Sequence, residues 1–208
     1  EAGKPHPIME EYEVKALPFV HKEMDKWREN FEGLEFEHKE TGLTVSGALD
    51  DVWEDESGKL IVVDYKATSK SGRIESLSDS PWEDQYKRQI GVYQWLLTNM
   101  GFEVSQTGYF VYANALQTEE GFGDKLVFDT TLIPCEGDTD WIEPTLIKIK
   151  DCLDSDSYPE SGFACEFCPY RQAVGQKLQK IHKENPPSVS SKPNSTKDTI
   201  DSLKKKYG

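Results

Sequence analysis

Residues 43 to 67 read LTVSGALDDVWEDESGKLIVVDYKA, and this stretch decides the fold. Two runs of apolar and β-branched residues, Leu43 to Trp53 and Leu60 to Val63, flank a polar turn that contains one glycine, Gly58. Such a pattern predicts a β-hairpin. In a three-residue loop formed by residues 56–58, the glycine would occupy the position that requires a positive φ.

The loop also determines which residues face each other across the hairpin. The predicted pairs are Glu54 with Leu60, Val52 with Val62, and Asp50 with Asp64. Directly opposite residues share one face of a sheet, and side chains alternate along a strand, so Lys66 lies on the same face as Asp64. The hairpin therefore gathers Asp50, Asp64 and Lys66 in one small patch.

A patch of two carboxylates and one amine suggests a bound cation. Two carboxylates held close repel each other, and a divalent cation that prefers oxygen ligands, Mg²⁺ or Mn²⁺, relieves the repulsion. The lysine would orient a water molecule or offset charge on a phosphate. Together these groups would form a site for phosphodiester hydrolysis, in which the metal generates the nucleophile and holds the phosphate. The alternative is a surface hairpin with ordinary solvated charges.

The composition indicates a single globular domain with a polar surface. The chain has 208 residues, of which 36% are hydrophobic and 30% are charged, enough for one domain with a core. No stretch approaches the ~20 apolar residues of a membrane span, and no signal-peptide pattern opens the chain. We therefore expect a cytoplasmic protein without a membrane partner. The chain starts at Glu1 rather than methionine, which suggests a trimmed or excised chain.

The charge distribution bears on the choice of partner. The formal net charge is -14, whereas nucleic acids are usually held by Lys and Arg side chains. The segment from Lys66 to Arg88 is roughly balanced, and a local basic rim can coexist with an acidic remainder. This pattern suits a protein that takes DNA ends or flexible strands, or one delivered by a partner in a larger assembly. Arg73, Lys87 and Arg88 are the residues predicted to guide a strand.

Apolar periodicity predicts the remaining elements. The best helix runs from Trp82 to Met100, and it places Gln89 and Tyr93 on one face. Taken alone, Tyr93 would be a core aromatic and Gln89 a surface amide. The other predictions are a helix over 16–31, a strand over 36–38, a loop over 68–81, strands over 107–115 and 125–133 joined by the acidic segment 119–124, a helix over 141–153 with Trp141, Leu146, Ile149 and Leu153 facing inward, a loop over 154–164, and a helix over 171–182.

Three short motifs follow each other in this order of elements: Gly47-Ala-Leu-Asp50, Asp64-Tyr-Lys66, and Gln89-Ile-Gly-Val-Tyr93. Their order and spacing resemble the PD-(D/E)XK nuclease superfamily, and within it the RecB-like branch that includes the CRISPR adaptation nucleases. An aspartate-x-lysine motif alone would mean little, because it occurs by chance in many sequences. The resemblance covers roughly residues 16–170.

The resemblance implies an α/β fold of the restriction-endonuclease type, with a mixed central β-sheet flanked by helices. It implies a nuclease-like domain over 1–182, and the composition from Glu184 onward predicts a flexible tail over 183–208. By analogy, Asp50, Asp64 and the backbone carbonyl of Tyr65 would hold Mg²⁺ or Mn²⁺. Lys66 would be the catalytic lysine, and Gln89 and Tyr93 would position it. Asp51 points to the other face and ranks below Asp50.

Two features of the family have uncertain counterparts here. Many RecB-like members carry an N-terminal histidine ligand, for which His21 and His6 are the early candidates; His21 is alternatively a solvated helix histidine. Iron–sulfur members pair one early cysteine with three late ones, but the first cysteine here is Cys135. The remaining cysteines are Cys152, Cys165 and Cys168, of which the last two have C-x-x-C spacing. We expect no iron–sulfur cluster and no zinc with Cys152 or His182, but reduced, semi-buried cysteines in an intracellular compartment.

The function implied by this resemblance is metal-dependent cleavage of DNA. Exonuclease action on single strands or ends is the form that the branch suggests. The first alternative is a binding module of the same fold that holds nucleic acid or protein without cutting. The second is an interaction protein in which the motifs occur by chance.

Overall fold

The structure, a computed structural model, describes residues 3–78, 80–117 and 124–184. The chain divides into two compact units, Glu1–Asp156 and Ser157–Gly208. The first unit holds a five-stranded sheet, a two-stranded sheet and four helices among its described residues. Their bounds are α1 Pro7–Glu11, β1 Ala16–Pro18, α2 Met24–Arg28, β2 Leu34–His38, β3 Leu43–Gly47, β4 Asp51–Asp55, β5 Leu60–Thr68, α3 Pro81–Asn99, β6 Thr107–Ala115, β7 Phe128–Glu136 and α4 Ile142–Asp154.

The five-stranded sheet has the strand order β1-β4-β5-β6-β7, and β2 pairs with β3 in a separate ribbon. Within the larger sheet β5 and β6 are parallel, while the other neighbours are antiparallel. The predicted mixed sheet is therefore confirmed. Of the segments predicted as strands, β6 has the predicted bounds and β7 starts three residues later than predicted.

The central hairpin has the predicted loop and, from Asp51 to Glu54, the predicted register; Asp50 precedes β4, so the predicted pair of Asp50 with Asp64 is not part of the strand ladder. Gly58 adopts a φ of +85°, and the pairs Val52 with Val62 and Glu54 with Leu60 are those expected. The first apolar run, however, is not one strand. It breaks after Gly47, so that β3 pairs with β2 while β4 joins the larger sheet. At this break Leu49 turns into the core, where it is 1% exposed, and burial of this side chain outweighs continued strand pairing.

The predicted helix over 16–31 is wrong. Residues 16–18 form the edge strand β1, and only Met24–Arg28 is helical. The residue before a proline disfavours the α conformation, so Leu17 adopts the extended conformation in which residues 16–18 pair with β4. Of the apolar positions on which the prediction depended, only Met24 and Trp27 are buried.

Each face of the larger sheet is covered by its own apolar cluster. On one face, Val62 and Phe110 pack against Ile90 and Leu97 of α3. On the other face, Val63 and its neighbours pack against α1 and form a second cluster, Ile8, Met9, Ala16, Trp53, Ile61, Val63, Val111 and Leu132. Because side chains alternate along β5, the positions that follow Val62 on the α3 face are Asp64 and Lys66. The fold therefore directs the motif residues toward α3.

Helix α3 is the longest element, and its prediction is confirmed to within one residue at each end. It begins after Ser80, whose hydroxyl accepts a hydrogen bond from the Glu83 backbone N–H at 3.3 Å. Helix α4 is also confirmed to within one residue, but Ile149 and Leu153 do not face inward and are 43% and 67% exposed. The acidic link predicted over 119–124 falls mostly on residues 118–123, outside the described ranges.

The second unit contains helix α5, Phe167–Glu184, which starts four residues before the predicted helix. Just before and within its first turn, the Sγ atoms of Cys165 and Cys168 lie 3.0 Å apart without a disulfide. The predicted tail over 183–208 lies outside the described residues from 185 onward. Among the helices that the structure describes, none is both long and apolar enough for a membrane span.

Candidate active site

Two carboxylates and a lysine meet at the carboxyl-terminal half of β5. Asp50, in the segment between β3 and β4, accepts a hydrogen bond at Oδ2 from the Tyr65 backbone N–H at 2.8 Å. This bond holds Asp50 beside Asp64, and the charge of Asp50 contributes to a raised pKa of the Asp64 carboxyl. The Lys66 Nζ lies 2.5 Å from Asp64 Oδ2. The patch predicted from the hairpin register is present.

Asp64 is buried in a way that an ordinary surface carboxylate is not. Its side chain is 1% exposed, and burial is the largest cause of the raised pKa of its carboxyl, partly offset by the Lys66 ammonium. The close contact between Lys66 Nζ and Oδ2 is an ion pair. Within residues 3–78, 80–117 and 124–184, this oxygen is the one buried side-chain polar atom without a hydrogen-bond partner. The alternative of a solvated surface hairpin does not fit these observations.

A chain of hydrogen bonds runs from Lys66 along α3. The Lys66 Nζ donates to Gln89 Oε1 at 3.0 Å, and Gln89 Nε2 donates to the Tyr93 hydroxyl at 2.8 Å. The Tyr93 hydroxyl donates in turn to the Ala48 carbonyl at 2.5 Å. Burial raises the pKa of Tyr93 above its ordinary value. Gln89 is thus a partner of the lysine and not merely a surface amide.

Two further contacts explain why the motif residues have these identities. A Cβ atom at Gly47 would lie 2.9 Å from Tyr93 Cε1, so a side chain there would displace the ring that ends the hydrogen-bond chain. The Lys66 ammonium also lies over the Tyr86 ring, 4.6 Å from its centroid, a favourable cation–π distance. Tyr86 was not among the residues singled out from the sequence, although it lies one helical turn before Gln89 on the same face of α3.

Comparison with known proteins bears on this geometry. A family model described as the PD-(D/E)XK nuclease superfamily matches residues 2–173. The chain belongs to this superfamily. No curated protein and no solved structure gave a significant match. The nuclease superfamily predicted from the three motifs is confirmed, while the assignment of Asp64 and Lys66 to the aspartate-x-lysine motif of this PD-(D/E)XK chain stays a prediction.

On the opposite face of this PD-(D/E)XK hairpin, Asp51 accepts four hydrogen bonds, which sequence reasoning did not predict. Its donors are the Arg28 Nη2 at 2.5 Å, the Val52 backbone N–H at 3.0 Å, the Tyr65 hydroxyl at 3.1 Å and the Trp53 indole N–H at 3.2 Å. Arg28 Nε also donates to the Asp50 carbonyl at 3.0 Å. Arg28 therefore links the backbone of one aspartate to the side chain of the next. No local motif marks Arg28, because it lies more than twenty residues from both partners.

The predicted histidine ligand lies in an aromatic cluster. The His21 ring stacks on Trp27 with centroids 4.5 Å apart, and its Nδ1 accepts from the Glu23 backbone N–H at 3.2 Å. His21 lies between β1 and α2 rather than on a helix, and His6 precedes α1 as its N-cap. In the described ranges, no three His, Cys, Asp or Glu side chains are grouped as metal ligands. A role of His21 as a metal ligand stays a prediction.

The side chains placed to bind a cation are therefore two carboxylates, Asp50 and Asp64. Their chemistry fits a small divalent ion, because hard oxygen ligands suit such ions and one oxygen is buried without a hydrogen bond. A superfamily of this kind usually uses divalent ions such as Mg²⁺, so the residues and the family agree. The Tyr65 carbonyl adjoins these residues along β5, and its part in coordination stays a prediction.

The three basic residues predicted to guide a strand lie apart from this network. Lys87 pairs with Asp84 at 3.7 Å, and both Lys87 and Arg88 line an open cavity of about 470 Å³ together with Trp141. Helical periodicity places both on other faces of α3 than Gln89. Arg73 contacts the Tyr12 hydroxyl at 3.3 Å and Asp129 at 3.5 Å. None of the three contacts Asp50, Asp64 or Lys66 among the described interactions.

Proposed function

We propose that this member of the PD-(D/E)XK nuclease superfamily is a metal-dependent deoxyribonuclease of the RecB-like branch, acting as an exonuclease on single strands or ends. The observation that carries the proposal is the buried Asp64 oxygen that lacks a hydrogen bond, next to Asp50 and Lys66. A buried charged oxygen is costly unless it is paired or binds a cation. The Lys66 ammonium pairs with this oxygen, but the pKa of the Asp64 carboxyl is still raised by burial, so a divalent ion would offset the part of the cost that the ion pair leaves.

In this mechanism Asp50 and Asp64 would hold the ion, which when bound would supply Lewis acidity for the attack of water on phosphorus. Lys66, held by Gln89 at 3.0 Å, offers its ammonium to the negative charge that develops on the phosphate. Tyr93 fixes the position of Gln89 and so restricts where the ammonium can point.

Within this proposal Gln89 and Tyr93 support the RecB-like assignment, because both act on the catalytic lysine from one helix. The preference for ends or single strands and the cytoplasmic location come from analogy and composition. The net charge of -14 favours delivery to DNA by a partner over non-specific coating of a duplex.

A catalytically silent binding module of the same fold is the competing function. It requires no particular carboxylates, whereas Asp50, Asp64 and Lys66 are all present, with Lys66 paired to Asp64 and Asp50 held by the Tyr65 backbone N–H. A decayed site would tolerate the loss of any of them. The binding module would be favoured by tight nucleic-acid binding without turnover in any divalent ion.

The test is a cleavage assay with end-labelled single-stranded DNA, duplex DNA and RNA, each with Mg²⁺, Mn²⁺ or EDTA. The variant is Lys66→Met, which keeps much of the side-chain volume. The matched control is Lys59→Met, because Lys59 is exposed and lies just before β5. We expect metal-dependent DNA cleavage that Lys66→Met reduces by roughly 10²- to 10³-fold and that Lys59→Met leaves unchanged. Cleavage retained by Lys66→Met would overturn the assigned role of the lysine, and preferred cleavage of RNA would overturn the substrate.

A further inference from the structure

Four residues of α3 form one stripe that runs from the interior to the solvent. Tyr93, Gln89, Tyr86 and Trp82 are spaced by four, three and four residues, which places them on one face of a helix. The inner three take part in the site: Tyr93 and Gln89 belong to the hydrogen-bond chain, and the Tyr86 ring lies beneath the Lys66 ammonium. Trp82 continues the same stripe outward.

Trp82 differs from the other tryptophans of the chain in its exposure. Its side chain is 73% exposed, whereas Trp27, Trp53 and Trp95 are each 6% exposed or less and Trp141 is partly buried. The described structure shows no ring stacked on it. A large, rigid aromatic face is thus open to solvent one helical turn from the ring that contacts the catalytic lysine.

The acidic residues that follow Trp82 do not repel an approaching strand as free charges would. Glu83 turns inward, where it accepts from the Ser78 backbone N–H and from Lys70 Nζ at 3.2 Å. Asp84 pairs with Lys87 at 3.7 Å. These pairings offset both carboxylates, so that the aromatic face of Trp82 can meet a polyanion.

We propose that Trp82 is a stacking platform for an unpaired nucleobase of the substrate strand. With an α-helical rise of about 1.5 Å per residue, Trp82 lies about 6 Å along α3 from Tyr86 and about 10 Å from Gln89. That separation is on the order of two to three nucleotides at the ~3.4 Å spacing of phosphates along one DNA strand, so a base close to the scissile phosphate would reach the indole. The inference rests on the proposed nuclease function and gives it a structural basis for preferring single strands and frayed ends.

Stacking also explains why such a site would discriminate between substrates. Bases inside a duplex are already stacked on their neighbours, whereas each unpaired base has a free face that an aromatic ring can cover. Because every base offers such a face, the platform would select for unpaired DNA without selecting a sequence. The platform contacts the substrate, while the cutting depends on residues at the other end of the stripe.

The experiment measures binding without cleavage. Fluorescence anisotropy in EDTA would compare wild type, Trp82→Leu, Trp82→Phe and the control Phe31→Leu, an aromatic that is 98% exposed on the loop after α2. The ligands would be a labelled single-stranded oligonucleotide and a labelled duplex without free ends, each end being closed by a loop. We expect Trp82→Leu to bind the single strand roughly 10-fold more weakly, Trp82→Phe to lose less, and Phe31→Leu to lose nothing.

In cleavage assays with Mn²⁺, Trp82→Leu would raise KM for single strands more than it lowers kcat. Unchanged single-strand affinity in Trp82→Leu, or equal losses for single strand and closed duplex, would overturn the platform. Because binding is measured in EDTA, the platform is tested even if no metal supports cleavage, a result that would reject the nuclease function instead. Cleavage that depends on Lys66 but not on Trp82 would reject the platform alone.

Discussion

Asp50 and Asp51 are neighbours in the sequence, but they belong to opposite faces of the hairpin with opposite electrostatic character. On the Asp51 face, four donors surround one carboxylate, and an arginine balances its charge. On the Asp50 face, a second carboxylate, Asp64, lies within reach, and one of its oxygens is buried without a hydrogen bond. The Asp51 carboxylate is satisfied by four hydrogen bonds and an arginine, whereas the Asp64 oxygen is ion-paired with Lys66 but accepts no hydrogen bond.

The difference separates two uses of buried acidic residues. A carboxylate with all its partners in the protein fixes the backbone around it and gains little from a cation. A buried carboxylate without such partners raises the free energy of the folded state until a cation binds. The contrast therefore predicts different responses of the two faces to substitution, to metal and to pH.

The largest effect is expected on cleavage. Asp64→Asn keeps the shape of the side chain but removes the charge that would hold a cation, and we expect DNA cleavage to fall by at least roughly 10³-fold. Asp51→Asn changes a residue without contact to the cation, and we expect it to retain activity to within about 10-fold. Initial cleavage rates with Mn²⁺, measured on variants shown to be folded to the same extent, would test both expectations. Equal losses in the two variants would contradict the assignment of the two faces.

The next effect concerns metal removal. A ligand that binds the folded state at 100 times its Kd stabilises it by about 2.7 kcal/mol. We therefore expect Mn²⁺ to raise the Tm of wild type and of Asp51→Asn relative to EDTA, and to leave the Tm of Asp64→Asn unchanged. Thermal unfolding with a Mn²⁺ titration measures this shift independently of cleavage. A Tm shift that persists in Asp64→Asn would place the cation elsewhere.

A smaller effect is expected on the stability of the Asp51 face. Asp51→Ala leaves the indole N–H of the fully buried Trp53 without its acceptor, which costs about 1–3 kcal/mol. Asp51→Asn keeps one acceptor oxygen and should lose less. Urea unfolding in EDTA gives both free energies of unfolding. If Asp51→Ala were as stable as wild type, the hydrogen bonds of this face would contribute nothing net.

The smallest effect is a pH dependence of the metal-free protein. Burial raises the pKa of the Asp64 carboxyl in the folded chain, whereas the unfolded chain has the ordinary value of about 4. The stability contribution of the protonated carboxyl is present below the unfolded pKa and is lost as pH rises through the folded pKa. In EDTA, Asp64→Asn should therefore gain stability relative to wild type as the pH rises from about 4. If the stability difference between Asp64→Asn and wild type stayed constant or declined as the pH rises, burial of the charged Asp64 carboxylate would carry no free-energy cost.

The sequence predicted the parts of this molecule that depend on short spacing. The loop at Gly58 determined the hairpin register, and alternation along β5 then placed Asp64 and Lys66 on one face. Helical periodicity placed Gln89 and Tyr93 together on α3. In each case the relevant contacts are set by local backbone geometry, which a few residues of sequence encode.

Other features depend on contacts between distant segments and were not predictable. Arg28 reaches Asp50 and Asp51 only because α2 packs near the start of β4, and no local pattern records that contact. The break after Gly47 depends on β2, which is available as an alternative partner for β3. The spacing of apolar residues over 16–31 suggested a helix because periodicity alone gave no weight to Pro18.

The segment from Ala48 to Asp50 is anchored at three successive residues by two other elements, α3 and α2. The Tyr93 hydroxyl holds the Ala48 carbonyl, the Trp27 carbonyl accepts from the Leu49 N–H at 3.1 Å, and Arg28 holds the Asp50 carbonyl. These three hydrogen bonds fix the backbone at Asp50 before an ion binds. Loading the site therefore requires no folding of a loop, and little of the binding free energy of the ion is lost to ordering the protein.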